Sequence, residues 1–129
     1  MPKPEYCVEL PSITAGEDTP VHALLRSASR PTAIVVSDDI LALTLERICT
    51  ETGLSIPADL SILSFNNSLF ARLTSPQLTS IDINSCQLGM EAAAQMISHI
   101  ENPGLPATKI LVPHQLIERD SCARPASHE

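Results

Sequence analysis

The 129-residue chain predicts an α/β fold, a parallel sheet flanked by helices, and three observations carry that reading. Residues 32–36, Thr32-Ala33-Ile34-Val35-Val36, form an almost wholly apolar run of strand length. Such a run is the pattern of a parallel strand buried on both faces. A helical stripe follows at once, with Leu41, Leu45, Ile48 and Cys49 on one face and Glu46, Arg47 and Glu51 on the other. A second run, Leu60-Ser61-Ile62-Leu63-Ser64-Phe65, comes after the turn Pro57-Ala58-Asp59. Strand, helix and strand with short joints make a βαβ unit, whose crossover is right-handed in nearly every known case.

The remaining elements follow in order. Residues 6–10 read as a short strand, and 11–19 as a polar loop. Pro20 opens a helix, since its missing N–H costs nothing in the first turn. Val21, Leu24, Leu25 and Ala28 carry its stripe to about Ser29, before Arg30-Pro31 ends it. Ser37 or Asp38 caps the second helix. Gly53 is placed to close it, with Leu54 as the apolar contact that follows. Residues 69–73 fit either a helical turn or an edge piece. Residues 78–83 predict a third strand, and Asn84 or Ser85 caps a long amphipathic helix bearing Leu88, Ala92, Met96 and Ile100 on one face. Gly89 within that helix implies close packing, because Gly there otherwise only lowers stability. Asn102-Pro103-Gly104 ends it. Residues 109–112 and 115–118 form a last extended stretch bent at Pro113, and the segment 123–129 reads as a flexible tail.

With 43% hydrophobic and 18% charged residues, the chain is globular rather than disordered. Fifteen acidic residues against eight basic ones leave a net charge of −7, with no Lys/Arg cluster, so the segment by itself would repel a phosphate backbone. Cys7, Cys49, Cys86 and Cys122 are widely spaced and match no metal-ligand pattern, which points to reduced thiols in the cytoplasm. No apolar segment approaches a membrane span, and residues 1–4 lack the apolar stretch of a signal peptide. The aromatic residues are Tyr6, Phe65 and Phe70, so the core is aliphatic.

His22, His99, His114 and His128 share no metal spacing, the four glycines stand alone, and no nucleophile elbow occurs. The sequence thus reads as a binding protein, not an enzyme, with no metal and no cofactor. Three polar groups follow strands: Asp38 and Asp39, then Asn66-Asn67-Ser68, then Asp82, Asn84 and Ser85. Each has a plain explanation in helix capping or turn formation. Together, at the carboxyl ends of adjacent parallel strands, they would converge on the rim where open α/β sheets bind ligands. A carboxylate accepts hydrogen bonds from hydroxyl groups, and an amide both donates and accepts, which suits a polyol or a base edge.

The residues at this point resemble a family. Pro31-Thr32-Ala33-Ile34 through Ser37-Asp38-Asp39-Ile40-Leu41-Ala42-Leu43 is similar to a segment of the LacI/GalR-type bacterial transcription regulators. The likeness continues through Gly53-Leu54-Ser55-Ile56-Pro57-Ala58-Asp59-Leu60-Ser61, Phe65-Asn66-Asn67, Ala71-Arg72 and Ser75-Pro76-Gln77-Leu78-Thr79-Ser80-Ile81. Leu88-Gly89, Ala92-Ala93 and Leu116-Ile117-Glu118-Arg119-Asp120-Ser121 complete it, over about 21–122.

The resemblance implies a type I periplasmic-binding-protein-like domain of two subdomains, with an effector cleft between them. Residues 1–122 would be a part of that effector-binding and dimerisation domain, mainly its C-terminal subdomain. The helix at 85–101 would belong to the other subdomain, and the helix-turn-helix that reads operator DNA would lie outside this chain. The effector, a sugar or similar polar metabolite, would meet Asp38, Asn66 and Asn84. Asp38 stands where the family usually has Asn, and Asn66 where it usually has Asp, as though carboxylate and amide had exchanged places. Ser64 replaces a usual Gly and would narrow the approach to the backbone. A homodimer would form through Leu41, Ala42, Leu45, Leu69, Phe70 and Leu73. Two other readings remain open: a magnesium-dependent phosphoryl receiver or enzyme using Asp38 and Asp39 with Lys109, and a ligand-free dimerisation module.

Overall fold

The computed structural model describes residues 7–8 and 20–125. Eight elements follow one another: α1 (Pro20–Arg26), β1 (Ala33–Val35), α2 (Asp39–Thr52), β2 (Ser61–Phe65), α3 (Leu69–Leu73), β3 (Thr79–Asp82), α4 (Ser85–Glu101) and β4 (Gln115–Ile117). The strands form one sheet in the order β1-β2-β3-β4. β1, β2 and β3 run parallel, with Ile34 beside Ile62 and Ser64 beside Ser80. β4 returns antiparallel against β3, pairing Leu116 with Ile81.

α2 shows why the sequence reads so clearly there. The Asp38 carboxylate accepts the Leu41 N–H at 2.8 Å and satisfies one of the orphan donors of the first turn. At the other end Gly53 takes the left-handed conformation at φ 75° and donates to the carbonyls of Cys49 and Thr50. A side chain would be strained at that φ. α2 lies against α1, α3 and β2. Leu25, Ala42, Leu45, Ile48, Cys49, Leu60, Ile62, Ala71 and Leu78 form the core. Each large aliphatic side chain among them is worth about 1.5–3 kcal/mol of burial.

The end of the described chain closes this core. Ser121 is fully buried between β2 and β3. Its hydroxyl donates to the Ile62 carbonyl at 2.6 Å and accepts the Thr79 N–H at 2.8 Å. Its backbone bonds Ile62 on one side and Gln77 on the other.

Several expectations are corrected. β1 is not buried on both faces: it is the sheet edge, and Val35 is 64% exposed, because no described residue pairs with its outer side. An apolar hollow of ≈ 870 Å³ lies beside it, between β1 and Cys7–Val8, floored by Val21, Leu24, Leu41, Leu45 and Ile48. α1 stops at Arg26, where the Ser27 hydroxyl captures the Ser29 N–H and offers the backbone an alternative to another helical turn. Residues 69–73 form a helix. Nothing packs within 4 Å of where a Gly89 side chain would stand, so that glycine marks no close approach here. α4 is no such correction: it has no buried residue and Met90, Met96, Ile97 and Ile100 are exposed, as expected of a helix whose apolar face would find its partners in the other subdomain. Residues 109–112 form no strand. Ala123 is not loose, since its N–H and carbonyl both bond the Ser61 hydroxyl. The expected strand at 6–10 lies mostly outside the described residues, and so do 126–129 of the expected tail.

Candidate effector-binding rim

The carboxyl ends of β1, β2 and β3 lie side by side, so the three polar groups singled out in the sequence do converge. Asp38 ends the β1 segment and caps α2. One of its oxygens is spent on Leu41, while the other receives only a long 3.4 Å bond from the Ser37 hydroxyl. Asn66 follows β2 directly. Its N–H bonds the Ile81 carbonyl, and its exposed side chain has no hydrogen-bond partner among the described residues. Asn84 follows β3 and precedes α4. Its N–H bonds Asp82 at 2.8 Å, and its amide donates to Gln87 at 2.9 Å. Asn84 stands at the cap position, yet neither it nor Ser85 caps α4 through a side chain, because Asn84 is turned into the left-handed region at φ 52°.

Backbone strain is concentrated here. The non-glycine residues at positive φ among those described are Asn66 (93°), Asn67 (45°) and Asn84 (52°). Asn tolerates this region better than most residues, at a cost that the surroundings must offset. Such residues cluster at binding and catalytic sites.

Asp39 has a different role from Asp38. It is 1% exposed. Its carboxylate accepts the Ser64 hydroxyl at 2.5 Å, the Ser80 hydroxyl at 2.9 Å and the Ser68 N–H at 2.6 Å. Burial pushes its carboxyl up, but hydrogen bonds from Ser64, Ser68 and Ser80 outweigh this and hold it below the ordinary value. One ionised side chain therefore joins α2, β2, β3 and the start of α3. Asp39 is thus occupied within the protein, and Asp38 spends one oxygen on its helix. Among the described residues, no group of three His, Cys, Asp or Glu side chains could hold a metal ion. Of the pair, Asp38 alone keeps an oxygen facing outward.

Ser64 is also corrected. Its side chain is fully buried and aimed at Asp39, so it does not narrow the rim. Ala42 and Leu45 are 0% and 5% exposed and pack into the chain's own core, not onto an open face. Leu41 lines the apolar hollow beside β1. Leu69, Phe70 and Leu73, at 67%, 44% and 69% exposure, present an uncovered apolar face on α3. Sequence reasoning missed Ser80 and Arg119. The signal for Ser80 was its place beside Ser64: two hydroxyls at neighbouring inward positions of two strands need a common buried acceptor.

The fold is a mixed α/β domain with polar side chains gathered at one rim of its sheet. The chain belongs to the periplasmic binding protein-like domain family, which it matches over residues 4–122. It is 35% identical over 103 residues to the HTH-type transcriptional repressor PurR of Pectobacterium carotovorum subsp. carotovorum, covering 80% of this chain and 30% of that protein. Against the ribose operon repressor of Haemophilus influenzae it is 33% identical over 100 residues, covering 78% and 30%. Among solved structures it is similar to a LacI family transcriptional regulator from Enterococcus faecalis V583 with bound ribose, at 34% identity and a TM-score of 0.73, covering 83% of this chain and 39% of that one. A second, from Enterococcus faecium and also with bound ribose, gives 31% and 0.72. The chain spans about a third of the length of the curated relatives it matches, and the matched stretch is the C-terminal effector-binding region of LacI-type regulators. No helix among the described residues is long and apolar enough to cross a membrane.

Proposed function

We propose that this chain is the effector-binding and dimerisation part of a LacI-type transcriptional regulator, and that it acts by binding, without chemistry of its own. The supporting observation is the rim: Asn66, Asn67 and Asn84, all at positive φ, stand beside Asp38 at the ends of adjacent strands. Asn66 and the outer oxygen of Asp38 are open to a ligand, and an amide beside a carboxylate matches neighbouring hydroxyls of a sugar. Two similar structures hold ribose. Asn84 contributes from the third strand. The exposed face of Leu69, Phe70 and Leu73 would pair two copies, and operator DNA would be met only through a helix-turn-helix outside these residues. A sugar that favours one closure of the cleft would then shift the spacing of the paired DNA-binding parts.

The test is a titration of the full-length regulator with ribose and a panel of other pentoses and hexoses, read as operator release. Asp38→Ala and Asn66→Ala should each remove the response to the active sugar while leaving operator affinity in its absence unchanged. A full response in both variants contradicts the site. Dimers that answer to no sugar favour the ligand-free module.

A further inference from the structure

Asn67 is next to the proposed ligand contact Asn66 but faces the other way. Its N–H donates to the Ser80 hydroxyl at 3.0 Å. Its amide Nδ2 donates to Asp82 Oδ2 at 2.9 Å. Its Oδ1 accepts from Arg119 Nη2. Both ends of one amide are therefore held, one by an anion and the other by a cation. Asp82 in turn accepts the Asn84 N–H through its second oxygen at 2.8 Å, at the entry to α4. Arg119 sits just past β4, on the return from α4. Its second guanidinium nitrogen donates to the Leu78 carbonyl at 2.6 Å, and its own N–H bonds the Thr79 hydroxyl at 3.0 Å.

We propose that Asn67 is a positioning residue that ties the rim to both chain crossings between the sheet and α4, so that a ligand met at Asn66 is transmitted to α4 through these two links. The inference rests on the proposed rim, and it deepens that reading by naming how occupancy leaves the site. The chemistry requires an amide here. A carboxylate would accept from Arg119 but repel Asp82, a lysine the reverse, and an apolar side chain would leave both charged groups unmatched. Asn66 and Asn67 are adjacent in a strained turn, so a displacement of one moves the other. Coupling through such a contiguous hydrogen-bonded chain is physically grounded only if breaking one member is felt at the far end.

The experiment needs no ligand, so it can fail independently of the sugar-binding proposal. Hydrogen–deuterium exchange is measured by mass spectrometry on the full-length protein and on the variants Asn67→Ala and Asn67→Asp. In Asn67→Ala, peptides carrying Asn84 and Arg119 should exchange about tenfold faster, while those carrying Ile62 and Leu78 keep their protection. In Asn67→Asp the same peptides should open at pH 7 and recover as the pH falls into the carboxylate range, where one shared proton restores a donor between the two acids. A merely space-filling role would show no such pH dependence. Acceleration confined to residues 66–68, or a defect in Asn67→Asp that is the same at every pH, overturns the proposal.

Discussion

The Ser64 hydroxyl donates to the Asp39 carboxylate at 2.5 Å, and both side chains are almost wholly out of solvent. The bond locks β2 to the first turn of α2. Together with Ser80 and the Ser68 N–H, it leaves Asp39 with three charge-assisted bonds and no exposed oxygen. The two consecutive aspartates therefore divide their work: Asp39 holds the rim together from beneath, and Asp38 faces outward at its edge.

Replacing Asp39 with Ala leaves the Ser80 hydroxyl and the Ser68 N–H without their acceptor and the Ser64 hydroxyl with only a 3.5 Å contact to the Thr79 carbonyl, which should cost about 3 kcal/mol. Urea unfolding measures this directly, and a loss below about 0.5 kcal/mol would contradict the network. The Asp39 carboxyl is held below its ordinary value of 3.8 in the folded chain, so its contribution is complete above that value and is lost as the pH falls through the folded one. Asp39→Asn should flatten the acid limb of the stability curve below about pH 4.

Glu46 should act in the opposite sense. One of its oxygens is buried without a hydrogen-bond partner, and burial raises its carboxyl from 4.5 to about 7. A raised acid favours the folded state most when protonated, so stability is complete below pH 4.5 and declines as the pH rises toward 7. Glu46→Gln should therefore melt higher than the parent at pH 8 and show no advantage at pH 4.5. Equal melting temperatures at pH 8 would show that the carboxylate is solvated.

Ser121 gives a third test. Ser121→Ala removes the donor to Ile62 and the acceptor for Thr79 in a fully buried position. The expected loss is about 2 kcal/mol, visible as a lower urea midpoint with an unchanged slope. A neutral substitution would mean that the closing segment does not hold β2 and β3 together.

The exposed face of α3 gives a fourth. Phe70→Asp or Leu73→Asp should convert a dimer to a monomer in sedimentation velocity, with little effect on the melting of the monomer, because both positions are open to solvent. A dimer that survives both substitutions would place the interface elsewhere.

The βαβ unit and its caps were legible because local chemistry sets them: an apolar run, a carboxylate at the right offset, and a glycine where φ must be positive. The convergence at the rim was legible too, since three polar clusters after parallel strands have one place to meet. What the local pattern could not show was which way a side chain points. Asp38 and Asp39 are neighbours with the same chemistry, and only the register of Ser64 against Ser80 decides which one is buried. Ala42 and Leu45 stood as interface residues on the family resemblance alone, whereas packing of α2 against α1, α3 and β2 uses them in the core. Val35 carries the pattern of a covered residue but stands open, since burial depends on neighbours that local sequence does not contain. Arg119 lies 52 residues from Asn67 and no local pattern announces their bond.

The central claim is that a polar effector is held at the ends of β1, β2 and β3. Its most direct test is a backbone chemical-shift titration of the full-length regulator with ribose, followed by the other sugars of the panel. The active sugar should shift Asp38, Asn66 and Asn84 first, with Asn67 and Arg119 following, and leave Leu69, Phe70 and Leu73 unmoved. Saturable shifts that avoid Asp38 and Asn66 would contradict it.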